Sequence, residues 1–507
     1  MTTSRSTMAG TLAVAALLAT GASPAALAQG PAGARAPGES LGVVRHELAN
    51  GMTFLTLPRR QAPVVSVVVR FPVGSVNEHL GNTGIAHVLE HMLFKGSREI
   101  GTVDYRAEAP LLAAADRVRD SLLLELALPR PDSPRVERLA NAVDLLEDSA
   151  WAFAVPNEYS RILSAAGARG LNATTSHEAT TYYVELPSNQ LELWFLLESD
   201  RMKDPVLRGL GAELGVVREE RRMRLETSPG GVLEAAFMAT AFHAHPYGVP
   251  IIGHASDVER LTRRQLAEYF RDYYGAAGAV VALVGDVDPE AVARLAEAHF
   301  GSVPRGRPPR PVPAHEPRQR GERRITVEFD AEPRLMIGWR AVAGHHEDAP
   351  ALAMLASVLT AGRSTRLYQR LIAEDRSAIF VSATLGPGFA YPGLFRMSAV
   401  PRSPHSPEEL ERTIYEEIAK LQEEPPEMAT LARIGNQIRA GEYRRLSSNL
   451  ELAMQIADSE GSLGDWRETF RLSRRLLEVT PENVRRVARK YLVPGGRTVA
   501  TMVREAP

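Results

Sequence analysis

The 507-residue chain contains no cysteine. That absence excludes disulfides, thiolate metal sites, a cysteine nucleophile and a lipid-modified N-terminal cysteine, so any metal must be held by nitrogen and oxygen ligands. A strong charge of either sign is missing too. The formal net charge of -2 gives no electrostatic reason to expect nucleic acid or an anionic membrane as partner. Nor does the N-terminal apolar run, Thr11 to Thr20, reach membrane-spanning length, because Gly21, Ser23 and Pro24 interrupt it. With Arg5 as the only charge before Arg35, and Ala26-Leu27-Ala28 as a small-x-small site, this stretch has the layout of an export signal over 1–28. The mature chain is then expected to start at Gln29 with a flexible Gly/Pro/Ala leader over 29–41, and to be periplasmic or secreted.

What is present fits a soluble globular protein, at 44% hydrophobic and 24% charged residues, too long for one core and so built from two or more domains. One stretch has a spacing that demands chemistry, His87-Val88-Leu89-Glu90-His91. On a helix, positions i and i+4 lie on one face, so His87 and His91 can offer two imidazole nitrogens to one metal ion. Glu90 shares that face and is placed to take a proton from a water whose pKa the ion lowers. Two histidines and a glutamate inside an apolar helix bracketed by Gly84 and Gly96 are costly to bury without such a partner.

The surrounding chain reads as a sheet with helices. Asn50-Gly51 is a tight-turn pair between two short strands, and Val64 to Phe71 is dense enough in valine for a strand buried on both faces. Residues 105–155 carry two apolar stripes at helical spacing around a turn from Pro129 to Pro134, the pattern of an inserted helical hairpin. Asn172 to Ser176 and Thr180 to Val184 read as a strand pair, followed by a helix from Gln190 to Met202. The charged helical segment Glu213 to Arg224 is where a third ligand is sought, with Val216 and Val217 expected to face the core. Glu213 and Glu220 are two turns apart on one face. From the residues alone Glu220, Glu213, Glu219 and His177 all stand as candidates.

The chain also repeats itself. At an offset of 270, Pro63, Arg70 and Gly74 fall on Pro333, Arg340 and Gly344, and the motif falls on Ser357-Val358-Leu359-Thr360-Ala361. At an offset of 218, Thr262, Tyr273 and Gly278 fall on Thr480, Tyr491 and Gly496. The expected fold is therefore α+β and duplicated. Each half is a mostly antiparallel sheet packed by helices, one over 42–302 carrying the metal residues and one over 324–507 without them, joined by a Pro/Arg-rich linker over 303–323.

The reversed motif, Glu213-x6-Glu220, the Asn172-Ala173-Thr174 segment and the duplication together resemble the insulinase/pitrilysin family of zinc peptidases, and its half-size bacterial members in particular. The resemblance covers roughly residues 42–505. It implies one zinc per chain held by His87, His91 and Glu220, with Glu90 as general base and Glu213 as a supporting carboxylate on the Glu220 helix. Asn172 and Ala173 match the edge segment that pairs with an extended substrate peptide. The sequence departs from the family in two places. The hairpin lengthens the gap from His91 to Glu220, and Ile372 and Ile379 stand where relatives carry a substrate-holding Arg and Tyr. The expected protein is a zinc-dependent endopeptidase acting on unfolded peptides, dimeric, with a related chain supplying the Arg and Tyr. A non-catalytic scaffold subunit and a zinc-independent peptide chaperone are the alternatives, and both leave the motif without a role.

Overall fold

The computed structural model describes residues 41–504, so the export segment and all but the last residue of the leader lie outside the described residues. The first sheet holds β1 (Val44–Glu47), β2 (Thr53–Pro58), β3 (Val64–Phe71), β4 (Arg169–Thr175), β5 (Thr180–Pro187) and β6 (Val280–Gly285), in the order β1-β2-β6-β3-β5-β4. The valine-rich β3 lies inside it, antiparallel to both β6 and β5 and buried from Val65 to Phe71. Gly51, at φ 90°, makes the turn that sets β1 against β2. At the opposite edge β4 pairs, among the described residues, with β5 alone.

The second sheet holds β7 (Arg323–Glu328), β8 (Arg334–Arg340), β9 (Ala378–Gly386), β10 (Leu394–Pro401) and β11 (Arg497–Val503), in the order β7-β11-β8-β10-β9. Both sheets share one plan. The parallel pair β2–β6 answers to β7–β11, and the antiparallel run β6-β3-β5-β4 answers to β11-β8-β10-β9. The strand β1 is the addition in the first sheet.

Each sheet is covered on one face by a helix from the other half of the chain. The helix Pro229–Ala241 places Leu233, Phe237 and Met238 against Met336, Leu394 and Met502 of the second sheet. In return, Asn449–Leu463 places Leu452, Ala453 and Ile456 against Leu55, Val68 and Val284 of the first. The remaining faces hold the two main cores, each on its own half.

Residues 105–155 hold the helices Tyr105–Leu126 and Ser133–Trp151, capped by the side chains of Asp104 and Asp132. A buried Arg208–Glu108 ion pair and the contacts of Arg263 with Asp116 and Glu147 fasten them to the body. Among the described residues no helix is long and apolar enough to cross a membrane.

Candidate metal centre

The helix Ile85–Met92 carries the motif. It begins at Gly84, whose φ of 87° and closeness to Ile252 O, 2.6 Å from where a Cβ would sit, leave room only for glycine. The Glu78 carboxyl group accepts from Gly84 N at 2.8 Å and Ala86 N at 2.9 Å, satisfying amides that the helix leaves free. Ile85, Ala86, Val88, Leu89 and Met92 enter the first core, which fixes the helix's rotation and turns His87, Glu90 and His91 to the other side.

Across from it runs the helix Leu210–Arg221. Leu210, Leu214 and Val217 anchor it in the same core. Val216 does not join them, contrary to the sequence expectation: it is 52% exposed. Neighbouring positions on a helix point about 100° apart, so only one of the two valines can face inward. The anchoring face presents Glu213 and Glu220 to the histidines.

His87 Nε2 and His91 Nε2 lie 3.6 and 3.5 Å from Glu220 Oε2. The three candidate ligand atoms all fall within 4.8 Å of one another. Tetrahedral coordination with bonds of 2.0–2.1 Å separates ligand atoms by about 3.4 Å, so the spacing suits zinc with little rearrangement. The donor set of two imidazoles and one carboxylate suits it as well. Arg224 holds the other Glu220 oxygen at 2.7 Å. On its far side His91 Nδ1 meets Glu213 Oε1 at 2.8 Å, while Glu213 Oε2 meets Lys95 Nζ at 2.5 Å. This chain of charges fixes the His91 ring with its proton on Nδ1 and its Nε2 lone pair toward the cluster.

Electrostatics sort the residues by role. Burial, reinforced by the neighbouring His91 and Arg224, drives the His87 pKa down to about 3, so its imidazole is neutral, as a ligand must be. For His91 burial opposes the charge, but the hydrogen bond and charge of Glu213 outweigh it and raise the pKa. The His91 hydrogen bond, with Lys95 adding, takes Glu213 down to about 2 despite partial burial. Glu90 is raised, chiefly by burial and against the pull of its bond from Thr175.

Glu90 lies between the cluster and β4, where its Oε2 accepts from Thr175 Oγ1. Asn172 and Ala173 sit on that edge strand, the first exposed and the second buried, with Ala173 N donating to Asn172 Oδ1 at 2.9 Å. Two of the candidate ligands stand apart. Glu219 faces solvent in a pair with Arg222, and the His177 ring is bonded to Ser75 Oγ at 2.8 Å. In the second half Ile372 packs against the core, while Ile379 on β9 is 58% exposed. Sequence reading missed Lys95, Glu78 and Thr175. Lys95 lies one turn beyond His91 and so was within reach of the spacing argument; the other two meet the motif only through space.

A family model described as Insulinase (Peptidase family M16) matches residues 54–119 and 153–255, and one described as Peptidase M16 inactive domain matches 260–438. The break in the first match falls within the helical hairpin. The chain is 27% identical over 345 residues to the zinc protease PqqE of Helicobacter pylori, covering 66% of this chain and 65% of that one, just under two thirds of its length. It is similar in structure to a protease from Helicobacter pylori, at TM-score 0.76 and 25% identity, covering 91% of this chain and all (100%) of that one. It also shares the fold of the periplasmic protease PqqL from Escherichia coli, at TM-score 0.67 and 16% identity, covering 91% of this chain and 47% of that longer one.

Proposed function

The chain belongs to the insulinase family of peptidases, and from that premise we propose that it is a zinc-dependent endopeptidase that hydrolyses unfolded peptides in the cell envelope. The observation that carries the reading is the convergence of His87, His91 and Glu220 at zinc-ligand spacing with Glu90 beside them. The name zinc protease borne by the Helicobacter pylori relative agrees with it.

In this reading His87 Nε2, His91 Nε2 and Glu220 Oε2 hold one zinc per chain. When bound, zinc supplies Lewis acidity to the scissile carbonyl and lowers the pKa of water in its open position. Glu90 takes the proton of the attacking water and returns it to the leaving amine. Burial raises its pKa, which strengthens it as the base in the uptake step. Glu213 keeps His91 in the ligating tautomer, with Lys95 holding Glu213 charged. The edge of β4 at Asn172 and Ala173, unpaired among the described residues, receives the peptide as an added strand, which keeps folded proteins out and extended segments in register.

The division into a metal-bearing domain over 42–302, a linker over 303–323 and a second domain over 324–507 belongs to the same reading, as do export of the chain and the inserted character of 105–155. The chain acts as the zinc-bearing unit of a dimer, with a related chain supplying the Arg and Tyr that Ile372 and Ile379 replace. That this fold matches 47% of a longer chain supports a chamber made from two such units.

Cleavage of a quenched, unstructured peptide by the mature chain tests the proposal. Activity removed by a chelator and absent from Glu90→Gln is the expected result. A zinc-loaded chain that cleaves only when a related chain is added locates the missing residues in that partner, whereas activity that survives both chelator and substitution would refute the site.

A further inference from the structure

Resting on the reading of Glu90 as the base, we propose that Thr175 is a positioning residue that locks the Glu90 carboxylate in its working orientation and ties it to the strand that aligns substrate. Thr175 Oγ1 donates to Glu90 Oε2 at 2.5 Å. Glu90 is a buried residue, 8% exposed, and among the described residues its Oε1 has no hydrogen-bond partner. Fixing one oxygen of a carboxylate fixes the other, so this single bond decides where Oε1 points. Without it the side chain has three rotatable bonds and no other hydrogen-bonding anchor.

The donor is well suited to the task. A β-branched threonine is stiff at χ1. Its backbone is held where β4 turns into β5, with Thr175 opposite Thr180 and Ser176 N bonded to Ala179 O at 2.8 Å. Side chains alternate along a strand, and burial does so here: Leu171, Ala173 and Thr175 lie on the inward face, while Asn172, Thr174 and Ser176 are exposed. The edge of β4 away from β5 has no neighbouring strand among the described residues. A peptide added there lies in the plane of the sheet, one strand away from the hydroxyl that holds the base. One seven-residue strand thereby serves both partners of the reaction, and its position sets the substrate's register and the carboxylate's direction together.

The test compares Thr175→Val, which keeps the shape and loses the hydroxyl, with Thr175→Ser, which keeps the hydroxyl, in the full mature chain. Valine is expected to lower kcat by about 10- to 100-fold, with KM, zinc content and melting temperature unchanged, and serine to restore most of the rate. Crystal structures of the two variants give a readout independent of activity: the Glu90 carboxylate shifts in Thr175→Val and stays in Thr175→Ser. Unchanged kcat, or a Glu90 that does not move, overturns the proposal. A raised KM at constant kcat also overturns it, by assigning Thr175 to substrate contact. If the wild-type chain proves inactive even with the related chain added, while Glu90 still shifts in the valine variant, the peptidase reading fails and the positioning role stands.

Discussion

The two halves of the molecule share a scaffold and differ in the chemistry it carries. At the offset of 270 the helix Ile85–Met92 corresponds to Ala349–Thr360, and Glu78 falls on Asp348. Both carboxylates stand at the start of their helix. Beyond that the copies diverge. His87, Glu90 and His91 become Ser357, Thr360 and Ala361, and at the offset of 218 Glu213 and Glu220 become Leu431 and Ile438, both packed in the second core. Thr360, at the position of Glu90, donates to Ala356 O and accepts from Ala383 N on β9, so a neutral hydroxyl closes the helix-to-strand junction that Thr175 and Glu90 close in the first half. The residues that pack are retained in kind, and the candidate metal-binding and catalytic residues lie on two helix faces of the first half. That contrast is what the inactive-domain description of the match over 260–438 would lead one to expect.

The largest effect is expected at Glu90. Glu90→Gln removes the carboxylate proposed for proton transfer and is expected to lower turnover by about 10²- to 10⁴-fold with zinc retained, read by peptide cleavage and metal analysis side by side. Next in size is the exchange of helices between the halves. Phe237 is fully buried in the helix that the first half lends to the second sheet, so Phe237→Ala is expected to cost about 3–5 kcal/mol in a single urea transition. Two separate transitions would show that the halves fold independently. Glu213→Gln, which weakens the hold on His91, is expected to lower zinc affinity by about 10- to 100-fold, measured by competition with a chelating dye.

The paired carboxylates give the smallest effect and the clearest sign. Burial raises Glu78 to about 8, so between its unfolded value near 4.5 and 8 the folded state keeps a proton that the unfolded state has lost, and this group makes stability fall as pH rises. Asp348 is opposite. Burial works against its charge, but bonds from Arg486, Lys490 and Tyr491 hold its carboxyl well below the usual range. Its contribution is complete above pH 3.8 and is lost as pH falls toward the folded value. Asp348→Asn is therefore expected to lower the melting temperature at neutral pH, with the gap narrowing below pH 3.8. A gap that widened in acid would reverse the assignment.

Much of this was legible in the sequence because the signals were local. The motif is contained in one helical turn and a half, the valines of β3 mark a doubly buried strand, and the fixed offsets expose the duplication. What stayed hidden depends on meeting through space. The spacing of Glu213 and Glu220 put them on one face but could not rank Glu220 above Glu219 or His177. Only the rotation imposed by Leu214 and Val217 does that, and it is the same rotation that turns Val216 outward. Apolar residues in Pro229–Ala241 announce burial without saying against which sheet. Thr175 lies 85 residues from Glu90, and nothing in the strand's alternation reveals its partner.

Zinc content is the decisive measurement for the site at His87, His91 and Glu220. One zinc per chain is expected, located by anomalous diffraction between His87, His91 and Glu220. None should remain in His87→Ser, which gives the first half the residue its counterpart already has in the second. Zinc retained by that variant, or a second zinc in the second half, would contradict the account.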